Sequence, residues 1–179
     1  MRDWNVVATV HEEQFGRACA VLQKLGKVKR TDFHNVLVMK VRDVRAFADR
    51  LAEIMAAQPD LAGTLSRVVP ATNAFDFHTP EEFDTAALAI AKAWLPQLAN
   101  RSFHVRLHRR GLKGQLIGQP HDQSLDRALL TALGAAGTPA RISFDDPDAV
   151  IDIETVGNRA GISFWNRGDL RRYPFLKID

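Results

Sequence analysis

One cysteine, Cys19, stands in the whole chain, which excludes an intramolecular disulfide and any multi-cysteine zinc site. Cys19 falls in an apolar helical pattern with Phe15, Ala18 and Leu22, so the reading is a buried, inert thiol. No apolar run approaches the roughly 18 residues that a membrane span requires, and the start Met-Arg-Asp-Trp lacks the pattern of a signal peptide. A cytoplasmic protein is the expectation. No Gly-x-Gly-x-x-Gly follows a strand, and no Gly-x-x-x-x-Gly-Lys-Ser/Thr, Ser-Gly-Gly-x-Asp-Ser or Asn-Pro-Pro-Tyr occurs. Nothing therefore points to a cofactor loop, and no cofactor is expected. Neither sign of charge dominates: 24 Lys+Arg against 21 Asp+Glu gives +3, which permits a polyanionic partner without demanding one.

What is present is an ordinary globular composition, 46% hydrophobic and 25% charged, in a length that holds one large core or two small ones. Residues 1–70 carry 11 Lys+Arg against 8 Asp+Glu, and residues 71–179 carry 13 against 13. The second half can bind anions only through a local patch.

The first 72 residues read strand (Trp4 to Val10), helix (Glu13 to Leu25), two strands joined at His34-Asn35, a helix capped by Asp43, and a strand from Leu65 to Val69. This β-α-β-β-α-β order is the ferredoxin-like pattern. Its basic run Lys24, Lys27, Lys29, Arg30 reads as a solvated face. Asn73 to Pro80 reads as a junction, followed by a helix with a Thr79 cap, Pro80 at its first position and acids at its positive end, interrupted near Pro96.

The most informative stretch is Arg101-Ser-Phe-His-Val-Arg-Leu-His-Arg-Arg-Gly111. Phe103, Val105 and Leu107 alternate with His104, Arg106 and His108, predicting a strand with an apolar face and a basic, solvated one. A helix follows across Leu125, Ala128, Leu129, Ala132 and Leu133, with Asp122 or Ser124 as its cap. Strands are predicted over Ala140 to Phe144, Ala149 to Thr155 and Ala160 to Trp165. Guanidinium groups bind phosphates bidentately at every working pH, so Arg106, Arg109, Arg110 and Lys113, with His104 and His108, form a candidate phosphate-binding set for an RNA backbone, with a solvated strand face as the alternative reading. Four residues along a strand separate His104 from His108 by roughly 13 Å, too far for one metal ion. Neighbours in sequence rarely make triad geometry, so His121-Asp122 beside Ser124 gives no catalytic set. Asp145, Asp146 and Asp148 around Pro147 read as turn formers rather than a magnesium site. The tail offers Leu170, Tyr173, Phe175 and Leu176 for packing onto the second domain, and Arg167, Arg171 and Arg172 for a phosphate backbone.

Phe103-His-Val-Arg106 with Arg109-Arg110-Gly111, Ser124-Leu125-Asp126 early in a helix that ends at Leu133-Gly134, and Asp146-Pro147-Asp148 before the alternating strand to Glu154 together resemble the THUMP domain. That module occurs in tRNA-modifying proteins, among them 4-thiouridine synthetases, RNA methyltransferases and pseudouridine synthases. The resemblance covers roughly residues 73–179, and residues 1–72 resemble the ferredoxin-like domain that often precedes it. The implied fold is α+β, ferredoxin-like and then a THUMP domain with a mixed sheet. The implied partner is tRNA, held near its acceptor stem. The chain ends at Asp179, where THUMP enzymes usually continue into a catalytic domain. The expectation is therefore an adaptor without chemistry of its own, similar to the one that serves a separate tRNA acetyltransferase. An RNA-acting enzyme of unrecognised kind using His104, His108 or His121, and a protein-interaction module that does not touch RNA, are the competing readings.

Overall fold

The computed structural model describes residues 1–111 and 121–176, which divide into two compact units. Residues 1–72 together with 169–179 form the first, and residues 73–168 form the second.

In the first unit, β1 (Val6–Val10), α1 (Phe15–Leu22), β2 (Lys27–Arg30), β3 (Val36–Lys40), α2 (Val44–Ala57) and β4 (Leu65–Pro70) build a four-stranded sheet in the order β2-β3-β1-β4. Every neighbouring pair is antiparallel. Asn5 extends the ladder past β1, because its side chain both donates to the Val41 carbonyl and accepts the Val41 amide, each at 2.9 Å. Asp43 caps α2 as expected, accepting the Ala46 amide at 2.9 Å, and the helix stops before Pro59. Asn35 turns the β2–β3 hairpin with φ of 58°, a left-handed conformation that Asn tolerates. Gly26 is required at the corner between α1 and β2, since a Cβ there would sit 2.8 Å from the Lys40 carbonyl oxygen. Cys19 is half-buried rather than fully enclosed.

The tail returns to this first unit, not to the second as its composition suggested. After α6 (Arg167–Arg172), Tyr173 donates to Asp49 at 2.6 Å, and Phe175 and Leu176 are buried in a short 3₁₀ turn beside β4. Asp169 receives Arg45 at 2.7 Å. Alternation and helical spacing both fail over so short a segment, so its packing partner was not legible.

The second unit contains β5 (Asn73–Asp76), α3 (Pro80–Lys92), α4 (Leu95–Leu98), β6 (Ser102–His108), α5 (His121–Ala135), β7 (Arg141–Ile142), β8 (Ala149–Val156) and β9 (Arg159–Asn166). Its sheet runs β5-β9-β8-β6-β7, with β6 parallel to both neighbours and the other pairs antiparallel. The protein is thus a mixed α+β structure with two sheets, one of them mixed. Thr79 caps α3 by accepting the Glu82 amide at 3.1 Å, with Pro80 in the first turn, and the helix breaks before Pro96. Asn73 to Asp76, read as a junction, is an edge strand: its register with Ala160 and Ile162 depends on a partner more than 80 residues away. The β7 strand keeps only two of the five expected residues. Phe83, Ala87 and Ala91 of α3 and Leu125, Leu129 and Leu133 of α5 pack on Phe103, Val105, Ile151, Ile153 and Ile162 to make the core.

Because β7 is so short, the edge of β6 beyond it lacks a strand partner among the described residues. Asp126 fills the gap from α5, accepting the Val105 amide at 2.8 Å while only 7% exposed. Burial pushes this carboxyl up to about 7; the Val105 amide opposes the shift and the charge of Asp122 adds to it. Between the ordinary value of 3.8 and about 7 the native state holds a proton that the unfolded chain has released, so stability falls as pH rises through that window. Asp126→Asn keeps an acceptor without the charge. Urea denaturation should find it more stable than the parent at pH 8 by about 1–3 kcal/mol, with the advantage gone at pH 4. In the same core, Phe103→Ala should cost about 3–5 kcal/mol at any pH.

Candidate nucleic-acid interface

The polar face of β6 is not a solvated stripe. Parallel pairing sets His104 beside Val150, Arg106 beside Asp152 and His108 beside Glu154, and neighbours in register share a face. Asp152 is 0% and Glu154 1% exposed, and His104 is 4% exposed. The sequence showed the cations of β6 and the acids of β8 separately; only the non-local pairing shows that they face each other. Buried charge persists where opposite charge or hydrogen bonds meet it, and the register sets Asp152 next to Arg106 on the neighbouring strand.

His104, expected among the RNA contacts, is buried. Its Nδ1 lies 2.8 Å from the Ser143 carbonyl oxygen, which can only accept, so that nitrogen carries the hydrogen. Burial holds the imidazole below its ordinary range, with Arg106 adding to the effect. It is neutral at pH 7 and supplies no charge for a phosphate. The ring packs at 5.1 Å against that of Phe144, which is 72% exposed.

Arg110 leaves the end of β6 and pairs with Glu154, its side chain only 13% exposed. Its amide donates to Thr155 Oγ1 at 3.1 Å and its carbonyl accepts the Gly157 amide at 2.9 Å, tying the chain beyond β6 to the β8–β9 turn. Arg110 is thus engaged in a structural pair. Arg109 is exposed, and Arg106 and His108 are half-buried. Lys113 lies outside the described residues.

The Pro147-Asp148 element works as a clasp. Asp148 accepts the Ser102 amide at 2.9 Å and the Ser102 hydroxyl at 3.0 Å, and its own amide donates back to that oxygen at 3.0 Å. Those donors hold the carboxyl below the usual range. Arg167 closes the same turn, 3.2 Å from the Asp146 carboxylate, 3.3 Å from that of Asp148 and 2.6 Å from the Asp146 carbonyl. In the tail, Arg172 pairs with Asp49 at 2.8 Å and lies over the Tyr173 ring, whereas Arg171 is exposed. Among the described residues Asp122 accepts the adjacent Gln123 amide and Ser124 sits inside α5, so the expected cap is not seen in either. His121 Nδ1 meets Asp84 at 2.7 Å, a pair from α5 to α3 that sequence spacing could not show.

The burial of β6 shifts attention to cations that alternation did not single out. Lys92, Arg101, Arg127 and Arg141 are exposed on the second unit. Lys92 and Arg127 flank an open groove between α3 and α5, lined also by Leu88, Ser124 and Thr131.

No family model matches the sequence, and no curated protein matches it. Solved structures do resemble it. PH1313 from Pyrococcus horikoshii Ot3 superposes on 89% of the chain at a TM-score of 0.56 and 13% identity. TrmN from Thermus thermophilus superposes on 90% at 0.56 and 16% identity. A 4-thiouridine synthetase, solved as an RNA complex with bound ATP, superposes on 91% at 0.54 and 16% identity. The chain spans 53%, 44% and 41% of those three chains respectively. At such low identity the likeness is one of fold.

Proposed function

We propose that this chain is an RNA-binding module, a ferredoxin-like domain followed by a THUMP domain, that holds tRNA for a separate modification enzyme. The observation that carries the proposal is the fold shared over 91% of the chain with a 4-thiouridine synthetase solved in complex with RNA. The Pro147-Asp148 clasp on Ser102 adds to it, because it gives the motif behind the THUMP resemblance a definite structural task. A positioning role fits the way reactive side chains are used. His104 is bonded to Ser143, His121 to Asp84, Asp126 to the Val105 amide, and Glu154 to Arg110. Positioning an RNA requires backbone contacts that fix register, and proximity then lets a partner reach the base.

Purified protein should bind tRNA with an affinity that falls with salt. For about four to six phosphates contacted, log affinity against log salt should slope at roughly −3 to −5. Absence of binding at low salt, or binding indifferent to salt, refutes the reading. Nucleoside mass spectrometry on cells deleted for the protein should show one tRNA modification reduced, partly restored by excess of the enzyme that makes it. Normal levels of every modification would remove the adaptor role.

The arginines of β6 and its exit divide by task. Arg109→Ala should weaken RNA binding by several-fold and leave the melting temperature unchanged, since the side chain is exposed. Arg110→Ala should cost about 2–4 kcal/mol of stability, because Glu154 loses its cation in a buried site. Thermal melts and binding isotherms on the two variants check the division; equal melting losses would overturn it.

A further inference from the structure

The edge of the first sheet holds a charge arrangement that the fold does not explain. In the β2–β3 ladder Lys27 stands directly opposite Lys40, and Lys29 follows two residues along β2. Directly opposed residues of an antiparallel pair share a face with Cβ atoms about 5 Å apart, and residues i and i+2 share it about 6.6 Å apart. The three ammonium groups therefore project from one face, and all three lysines are exposed. No carboxylate makes an ion pair with any of them among the described residues. Like charges directly opposed across a ladder are destabilising. The register that opposes them is fixed, because Gly26 presses the entry of β2 against the Lys40 carbonyl where no Cβ could fit.

Lysine on an edge strand commonly guards against pairing with another sheet, and β2 is an edge. That explanation covers Lys27 and Lys29. It does not cover Lys40, which lies on β3, flanked by β2 and β1.

We infer that Lys27, Lys29 and Lys40 form a binding site for the phosphodiester backbone of RNA, separate from the arginine-bearing second unit. An anion laid across the three would turn their mutual repulsion into attraction. Lysine suits the task because its ammonium is a point charge with rotatable donors, able to meet phosphates without reading bases. The site binds without regard to sequence. It rests on the proposed RNA-binding function and adds to it a surface on the first unit.

The test is the triple variant K27Q/K29Q/K40Q, compared with K27R/K29R/K40R and the parent chain by fluorescence anisotropy on tRNA and on two unrelated stem-loop RNAs across a salt series. The glutamine variant should weaken binding to all three RNAs alike and flatten the salt slope by about 2–3, roughly one for each phosphate no longer neutralised. The arginine variant should retain the parent slope. The glutamine variant should melt at or above the parent temperature, since it removes a repulsion.

Parent chain that binds RNA while the glutamine variant keeps its affinity and slope overturns the inference and leaves the RNA-binding reading intact. Parent chain that binds no RNA overturns both. Lost binding accompanied by a melting temperature several degrees lower assigns the lysines a structural role and overturns the inference. Binding of the parent to phosphatidylserine vesicles that the glutamine variant loses, with RNA binding untouched, assigns the site to a membrane surface and overturns it as well.

Discussion

The second unit depends on how two buried carboxylates are compensated. Asp152 and Glu154 stand on β8 with no solvent to stabilise them. Removing a charge from water costs several kcal/mol unless an opposite charge or donors meet it. The parallel pairing with β6 sets Arg106 in register with Asp152 and His108 with Glu154, and Arg110 pairs with Glu154 from beyond the strand. The basic character of β6 is thus a requirement of the sheet. A register slip of one residue would set Phe103, Val105 and Leu107 against the acids and put the cations in the apolar core. The charged pairs and the hydrophobic core therefore specify the same register from opposite faces.

This explains why the equal counts in residues 71–179, 13 Lys+Arg and 13 Asp+Glu, coexist with so basic a strand. Glu154 of β8 pairs with Arg110, and Asp146 and Asp148 of the turn pair with Arg167, so these acids are not an independent acidic surface. In the first unit the balance differs. Its pairs join Arg45 to Asp169, Arg172 to Asp49 and Arg17 to Asp60, all between side chains at or near the surface, while the lysines of β2 and β3 are left facing one another.

Legibility followed the range of the interaction. Asp43 and Thr79 cap their helices through amides three residues on, and both were readable because the signal and its target share one turn. The β-α-β-β-α-β order was readable from strand and helix periods, and so was the apolar face of β6. What sits on the other face of β6 was not, since alternation reports that two faces differ and is silent on what covers the second. His104 illustrates the limit: it occupies the polar phase of the strand, yet its partners are the Ser143 carbonyl and the Phe144 ring, 39 and 40 positions away along the chain. The edge strand β5 and the return of the tail to the first unit failed for the same reason, each being decided by a distant partner.

Asp126 shows the same dependence on a distant partner from inside the core. In the helical pattern it sits beside Leu125, between residues whose spacing marks the buried stripe of α5, and an acid there looks like an error against hydrophobic patterning. The need for it arises in β7, which ends at Ile142 and leaves the Val105 amide without a strand partner among the described residues. A buried amide without an acceptor would itself be costly. Asp126 therefore substitutes one side-chain oxygen for a missing length of strand, and its raised pKa is the consequence of placing that oxygen in the core. The short β7 and the buried acid are one feature: a longer β7 would make Asp126 unnecessary, and a leucine at 126 would leave β6 with an unsatisfied edge.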